Sequence, residues 1–189
     1  MLRYALLGFL YYRPLAGYDL KQIMDDSTAN FWHADLSQIY KVLKKLETDG
    51  AITSEVEPSE SEHPDRRVYT ITTAGRKQLV EWLSTPMTDL SPLKEPLILK
   101  TFFSALADTP LLIAQLRIQR ELHRKRLAEF QAKDQAELER KRGLLGATHR
   151  DTLLWEATVR AGILYEAAYV QWLDETLEML ETHANDAGL

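Results

Sequence analysis

Within about the first 80 residues the hydrophobic period switches from helical to strand-like and back, in an order that few folds share. Residues 2–12 form an almost wholly apolar run that stops before Pro14, as a helix buried on most sides would. After Ala16-Gly17, residues 18–26 read as a second short helix. Asp35-Leu36-Ser37-Gln38 opens a third, with Asp35 or Ser37 available as N-cap. Its apolar stripe is Leu36, Ile39, Val42/Leu43 and Leu46, and Asp49-Gly50 ends it. Two runs rich in β-branched residues follow, 52–56 and 67–72, joined by a turn from Glu57 to Arg66 that holds two prolines. Thr72-Thr73-Ala74-Gly75 then leads into a helix with Leu79, Trp82 and Leu83 on one side. Helix-helix-helix-strand-strand-helix is the order of a winged helix-turn-helix, a mostly α fold with a small β-hairpin.

Beyond it the texture changes. Residues 84–92 carry two prolines among small polar residues and read as a linker. The expected organisation is a winged helix-turn-helix domain over 1–85, a linker over 86–94 and a helical dimerisation domain over 95–189. Periodicity predicts three helices there. The first covers 95–107, with Leu97, Ile98, Phe102 and Leu106. The second starts at Asp108-Thr109-Pro110 and runs to about 142, with a seam of Ile113, Leu116, His123, Leu127 and Phe130. Gly143 to Gly146 interrupt it, and a third runs from about 150 to 182 with a broad apolar face. Rods of about 30 residues extend about 45 Å. Two of them joined by a short turn cannot cover such faces alone, so a homodimer is expected.

Composition narrows the function classes. The chain has 189 residues with 23 Lys+Arg against 28 Asp+Glu, a formal net charge of −5. With no cysteine, disulfides, thiol nucleophiles and thiolate metal sites are excluded. The opening apolar run is too short for a bilayer and lacks the flanks of a signal peptide, so a cytoplasmic protein without membrane attachment is expected. His33, His63, His123, His149 and His183 stand apart, with no pair at metal-ligand spacing on one helix. Neither a glycine-rich phosphate loop nor a Gly-x-Ser-x-Gly elbow is present, and the pairs Asp25-Asp26 and Glu137/Glu139 do not converge on one helix face. No enzyme, metal or cofactor is expected.

The third helix carries the more pointed chemistry. Ser37, Tyr40, Lys41, Lys44 and Thr48 share its polar side, flanked by Gln38 and Lys45. In a major groove Gln can read an adenine edge, hydroxyls can bond phosphates, and lysines supply charge. The same set is also what an ordinary solvated face looks like. In the hairpin, Arg66 and Arg67 stand where the second strand begins, either to reach DNA backbone or minor groove, or to pair with Glu57, Glu60, Glu62 and Asp65. Overall acidity argues against a nucleic-acid partner. Lys41, Lys44, Lys45, Arg66 and Arg67 nevertheless fall on one side of a small domain, a local basic face that the net charge averages away.

The run 18–23, the run from Phe31 through Ile52, and Asp65-Arg66-Arg67-Val68-Tyr69-Thr70-Ile71-Thr72-Thr73-Ala74-Gly75-Arg76 followed by Leu79 and Trp82-Leu83 resemble the PadR-like transcriptional regulators. Residues 95–103 resemble the start of the longer helical C-terminal domain of one branch of that family. The resemblance implies a repressor-like dimer that binds an inverted repeat in double-stranded DNA. It implies contact through Ser37, Gln38, Tyr40, Lys41, Lys44, Arg66 and Arg67, with Lys45 beside them, and release by a small molecule, in some members an aromatic one. The wing is unusually acidic for the family, and Ala51 stands where a bulkier apolar residue is common.

Trp155, Tyr165, Tyr169 and Trp172 lie along the last helix and are the candidate effector residues, since aromatics stack on flat ligands. The competing role for them is dimer core, and for His123 a place in that core or a pH-sensitive packing role. The rival to a DNA-binding regulator is a protein-interaction adaptor that keeps the winged-helix core and holds a partner with its long helices.

Overall fold

The computed structural model describes residues 1–28, 31–58, 66–90, 94–133 and 135–186, with side chains through residue 182 except at 135. Glu60, Glu62, His63 and Asp65 of the wing, residues 91–93 of the linker and the His183 side chain lie outside the described residues. The chain forms two compact units that divide after Asp89, with the short turn Leu145–Ala147 grouped with the first.

In the first unit α1 (Leu2–Tyr12), α2 (Gly17–Ser27), α3 (Leu36–Thr48) and α4 (Thr73–Ser84) surround a three-stranded antiparallel sheet. Its strands are β1 (Leu15–Ala16), β2 (Ile52–Glu57) and β3 (Arg66–Ile71), in the order β1-β3-β2. Register runs from Ile52 opposite Ile71 to Glu57 opposite Arg66. β1 is absent from the sequence expectation, because two residues have no readable period; Leu15 and Ala16 pair with Tyr69 and Val68. Leu6, Leu20, Ile39, Leu43, Ile52 and Leu79 meet in one core, each burial contributing roughly 1.5–3 kcal/mol. Leu36 departs from the expected stripe and stands at the surface, since the first turn of α3 extends past the core.

Two glycines make the close approaches. Gly50 ends α3 at φ +68°, the left-handed conformation that lets Ala51 N–H return to the Leu46 carbonyl at 2.9 Å. A Cβ on Gly75 would lie 2.1 Å from the Ala51 carbonyl oxygen, so α4 starts directly on that backbone. Thr72 caps α4, accepting from Gly75 N–H at 3.1 Å while its hydroxyl lies 3.0 Å from the same carbonyl. The small side chain of Ala51 is fully buried at this junction.

The second unit holds α5 (Pro96–Phe102), a 3₁₀ turn (Ser104–Leu106), α6 (Thr109–Gln131), α7 (Gln135–Leu145) and α8 (His149–Asp186). The predicted helix 95–107 stops early. Thr101 and Ser104 hydroxyls donate back to the Leu97 and Lys100 carbonyls, at 2.9 and 2.7 Å, and Phe103 leaves the helical conformation. The predicted helix to about 142 is two helices. α6 closes with Lys133 N–H on the Phe130 carbonyl, and residues 131–137 offer no large apolar side chain to hold a straight continuation. Contacts between α6 and α8 run in opposite senses, from Arg117–Glu181 to Phe130, whose ring lies where a Cβ on Gly162 would be. Leu97, Leu116, Leu173 and Leu177 form the core between them. The two long helices thus bury a narrow stripe against each other and leave the rest of the broad apolar face uncovered. Leu153, Leu154, Leu164 and Met179 of α8 remain exposed. Among the described residues no helix is long and apolar enough to cross a membrane.

Candidate nucleic-acid interface

α3 is strongly two-sided. Ile39, Leu43 and Leu46 turn into the core, and that pins Ser37, Gln38, Tyr40, Lys41, Lys44, Lys45 and Thr48 outward. Among the described residues no carboxylate pairs with Lys41, Lys44 or Lys45. Their charges are therefore available to an external anion. Tyr40 is half exposed and its ring covers Gly17, where a Cβ would come within 2.5 Å of it. That contact seats the start of α2 against α3. Gln38 is partly engaged: its Oε1 accepts from Asp35 N–H at 3.3 Å, which holds the side chain at the mouth of the helix.

The wing arginines are placed differently. Arg66 is ion-paired with Asp19, whose Oδ2 also accepts from Ala16 N–H at 3.2 Å. Arg67 donates from Nε to Ser54 Oγ at 2.8 Å, and Ser54 Oγ donates to Glu47 Oε1 at 2.5 Å. The Arg67 guanidinium also stands 3.6 Å from Glu47 Oε1. Sequence reading weighed partners only among the wing acids, whereas these two acids come from α2 and α3. Asp19, Glu47, Ser54 and Gly17 were thus missed. Glu47 left one signal, being the single acid in the span 36–48. Tyr69 is buried beside this group; burial pushes its phenol above the ordinary range against the lowering charge of Arg67, with Glu47 and Tyr40 adding to the rise.

The four candidate effector aromatics do not form one group. Tyr169 is buried and stacks on His123, ring centroids 3.9 Å apart, with Trp172 edge-on at 5.2 Å and Tyr165 at 5.9 Å. Trp155 lies ten residues before Tyr165, about 15 Å along α8, so it stands apart. His123 Nδ1 is 2.5 Å from Oε2 of Glu166, a carboxylate with 3% exposure, and Arg126 stands 3.9 Å from its other oxygen. Burial pushes the Tyr169 phenol well up, and Glu95 adds to this by charge and by hydrogen bond. A cavity of about 520 Å³ between α5 and α6 is lined by Leu99, Phe103, Leu106 and Leu111 with Lys100 and Gln115. A smaller one of about 360 Å³ reaches His123, Lys125 and Arg126. Neither is lined by the four aromatics. Among the described residues no cluster of three or more His, Asp or Glu could hold a metal ion.

Comparison with known proteins covers both units. Residues 6–81 match the model of the transcriptional regulator PadR-like family, and residues 93–181 match that of the virulence activator alpha C-terminal domain. The negative transcriptional regulator PadR of Bacillus subtilis is 34% identical over 103 residues, 54% of this chain and 56% of that protein. In sequence, then, the chain spans about half the length of that relative. Its crystal structure with operator DNA superposes with a TM-score of 0.77 at 26% identity, over 95% of this chain and 98% of that one. Its complex with p-coumaric acid gives 0.73 at 25% identity, with the same coverage. The Vibrio cholerae virulence activator AphA gives 0.73 at 27% identity, over 97% of this chain and 100% of that one. A probable transcriptional regulator of Mycobacterium tuberculosis, Rv1176c, is 26% identical over 95% of this chain and 97% of its own length.

Proposed function

Because this chain belongs to the PadR-like transcriptional regulator family, we propose that it is a sequence-specific DNA-binding repressor, cytoplasmic, acting as a homodimer on a pseudo-palindromic operator. The observation that carries this reading is the outward row of lysines on α3, without a carboxylate partner among the described residues and set beside Ser37, Gln38 and Tyr40 by the buried stripe behind them. With α3 in the major groove, Lys41, Lys44 and Lys45 meet phosphates, Ser37 and Tyr40 add hydroxyl contacts, and Gln38 reads a base edge through its amide. Arg66 and Arg67 extend the contact from the wing. Residues 1–85 serve as the DNA-binding domain, 86–94 as linker and 95–189 as the dimerisation domain. A two-fold dimer sets its recognition helices about 34–36 Å apart, one turn of DNA.

The effector side of the proposal is a small aromatic molecule that releases DNA. Its support is the Bacillus relative solved with p-coumaric acid, together with the group Tyr165, Tyr169 and Trp172 in the second unit; Trp155 is the outlying candidate. A footprint on DNA flanking the chain's own gene, with anisotropy titration over a salt series, tests the regulator. A symmetric footprint is expected, with log affinity falling by about 0.9 per phosphate neutralised for each log unit of salt. Failure to bind at low salt overturns the reading in favour of a protein-interaction adaptor.

A further inference from the structure

We propose that Glu47 and Ser54 are positioning residues of the DNA-binding surface. They fix Arg67 of β3 against the last turn of α3, so that this arginine and the recognition helix engage DNA as one rigid piece. The proposal rests on the reading of α3 and the wing as the DNA interface. A carboxylate on a helix that faces phosphate would repel its ligand, and Glu47 is the single acid on α3. Its side chain is turned inward instead, about one third exposed, and is engaged within the fold.

The chain of contacts crosses three elements. Glu47 Oε1 on α3 accepts from Ser54 Oγ on β2 at 2.5 Å, and that oxygen accepts from Arg67 Nε on β3 at 2.8 Å. With one guanidinium nitrogen 3.6 Å from the same carboxylate, both the tilt and the depth of the planar fork are set before DNA arrives. The Nη1 group is left without a partner among the described residues and is free to donate to a phosphate. The charge of Glu47 partly cancels that of Arg67, so the arrangement gives up long-range attraction in exchange for a fixed donor. Flexible basic side chains bind any duplex, whereas a donor held in register favours the sequence that presents its phosphate there.

This trade makes opposite predictions from simple electrostatics. Removing a negative charge beside phosphate should tighten binding to all DNA. Under the positioning role, Glu47→Ala weakens operator binding about fivefold, the equivalent of one hydrogen bond, while binding to scrambled duplex holds or tightens. Glu47→Gln, which keeps an oxygen for Ser54, recovers most of the operator affinity. Ser54→Ala reproduces the loss with the charge retained, and melting curves of each variant establish that it is folded. In an Arg67→Ala background, Glu47→Ala has no further effect on the operator. Parallel tightening on both DNAs, or additive losses in the double variant, overturns the positioning role. Absence of operator binding by the unsubstituted chain would instead remove the DNA interface itself, and the proposal with it.

Discussion

In the first unit Leu6, Leu7, Leu20, Ile39 and Leu43 are all at 0% exposure, while Lys41, Lys44 and Lys45 of α3 and Arg66 and Arg67 of β3 stay at the surface. In the second, Glu166 is buried at 3%, while Leu106 and Leu111 remain open at 93% and 68%. The first unit packs four helices and a sheet round a centre, so apolar side chains have neighbours on every side. The second has one long antiparallel contact between α6 and α8, flanked by Arg117–Glu181 and Arg124–Asp174 ion pairs and crossed by His123–Glu166. A thick core tolerates any order of apolar residues that fills it. A thin seam needs polar groups to hold its register, and it leaves apolar surface over for a partner.

The contrast is open to direct attack, and the largest effect is expected at the buried His123–Glu166 contact. His123→Ala leaves the Glu166 carboxylate buried with Arg126, at 3.9 Å, as its cationic neighbour among the described residues, and should cost about 3–5 kcal/mol in denaturant unfolding, with hydrogen-exchange protection lost from α6 and α8. The double variant His123→Phe, Glu166→Leu should be close to neutral, since an apolar pair of similar volume needs no compensation. If the single and double variants lose equally, the seam depends on packing and not on charge. Next comes Gly75→Ala, whose new methyl meets the Ala51 carbonyl; a loss of about 1–3 kcal/mol, confined to the first unit, is expected.

Alkaline pH separates the units more gently. Tyr69 and Tyr169 both hold their protons above the ordinary phenol value of about 10. The unfolded chain releases these protons first, so stability is intact below about pH 10 and falls as pH climbs toward the folded values. The second unit should lose more, because Tyr169 also faces Glu95. Tyr169→Phe should flatten its pH profile, as read by thermal melts between pH 8 and 11. The smallest effect is expected at the exposed Arg117–Glu181 pair. Arg117→Ala should change stability by no more than about 1 kcal/mol, and less at high salt. A larger loss would mean that the flanking ion pairs, not His123–Glu166, hold the register.

Patterns repeating within one element were legible from the residues alone. The stripe Ile39, Leu43 and Leu46 defined α3 and, by exclusion, the outward set from Ser37 to Thr48; Asp49-Gly50 marked its end through the left-handed turn that Gly50 adopts. The alternation over 52–56 and 67–72 located the hairpin to within a residue at each end. Partners far apart in sequence were not legible. Arg66 and Arg67 were singled out, yet Asp19 lies 47 positions from one and Glu47 lies 20 from the other, with no local period linking them. Trp155 was grouped with Tyr165 because both are aromatic on one helix, although the spacing along α8 separates them.

What local physics dictates, then, is which elements form and which face each turns outward, since backbone hydrogen bonding and apolar period act over a few residues. The winged-helix order, the basic side of α3 and the family resemblance are of that kind. Long-range packing alone decided that the wing arginines are held by α2 and α3 and that a carboxylate is buried beside His123. Each depends on side chains meeting across elements, where the energy of a contact is set by who arrives and not by neighbours in the chain.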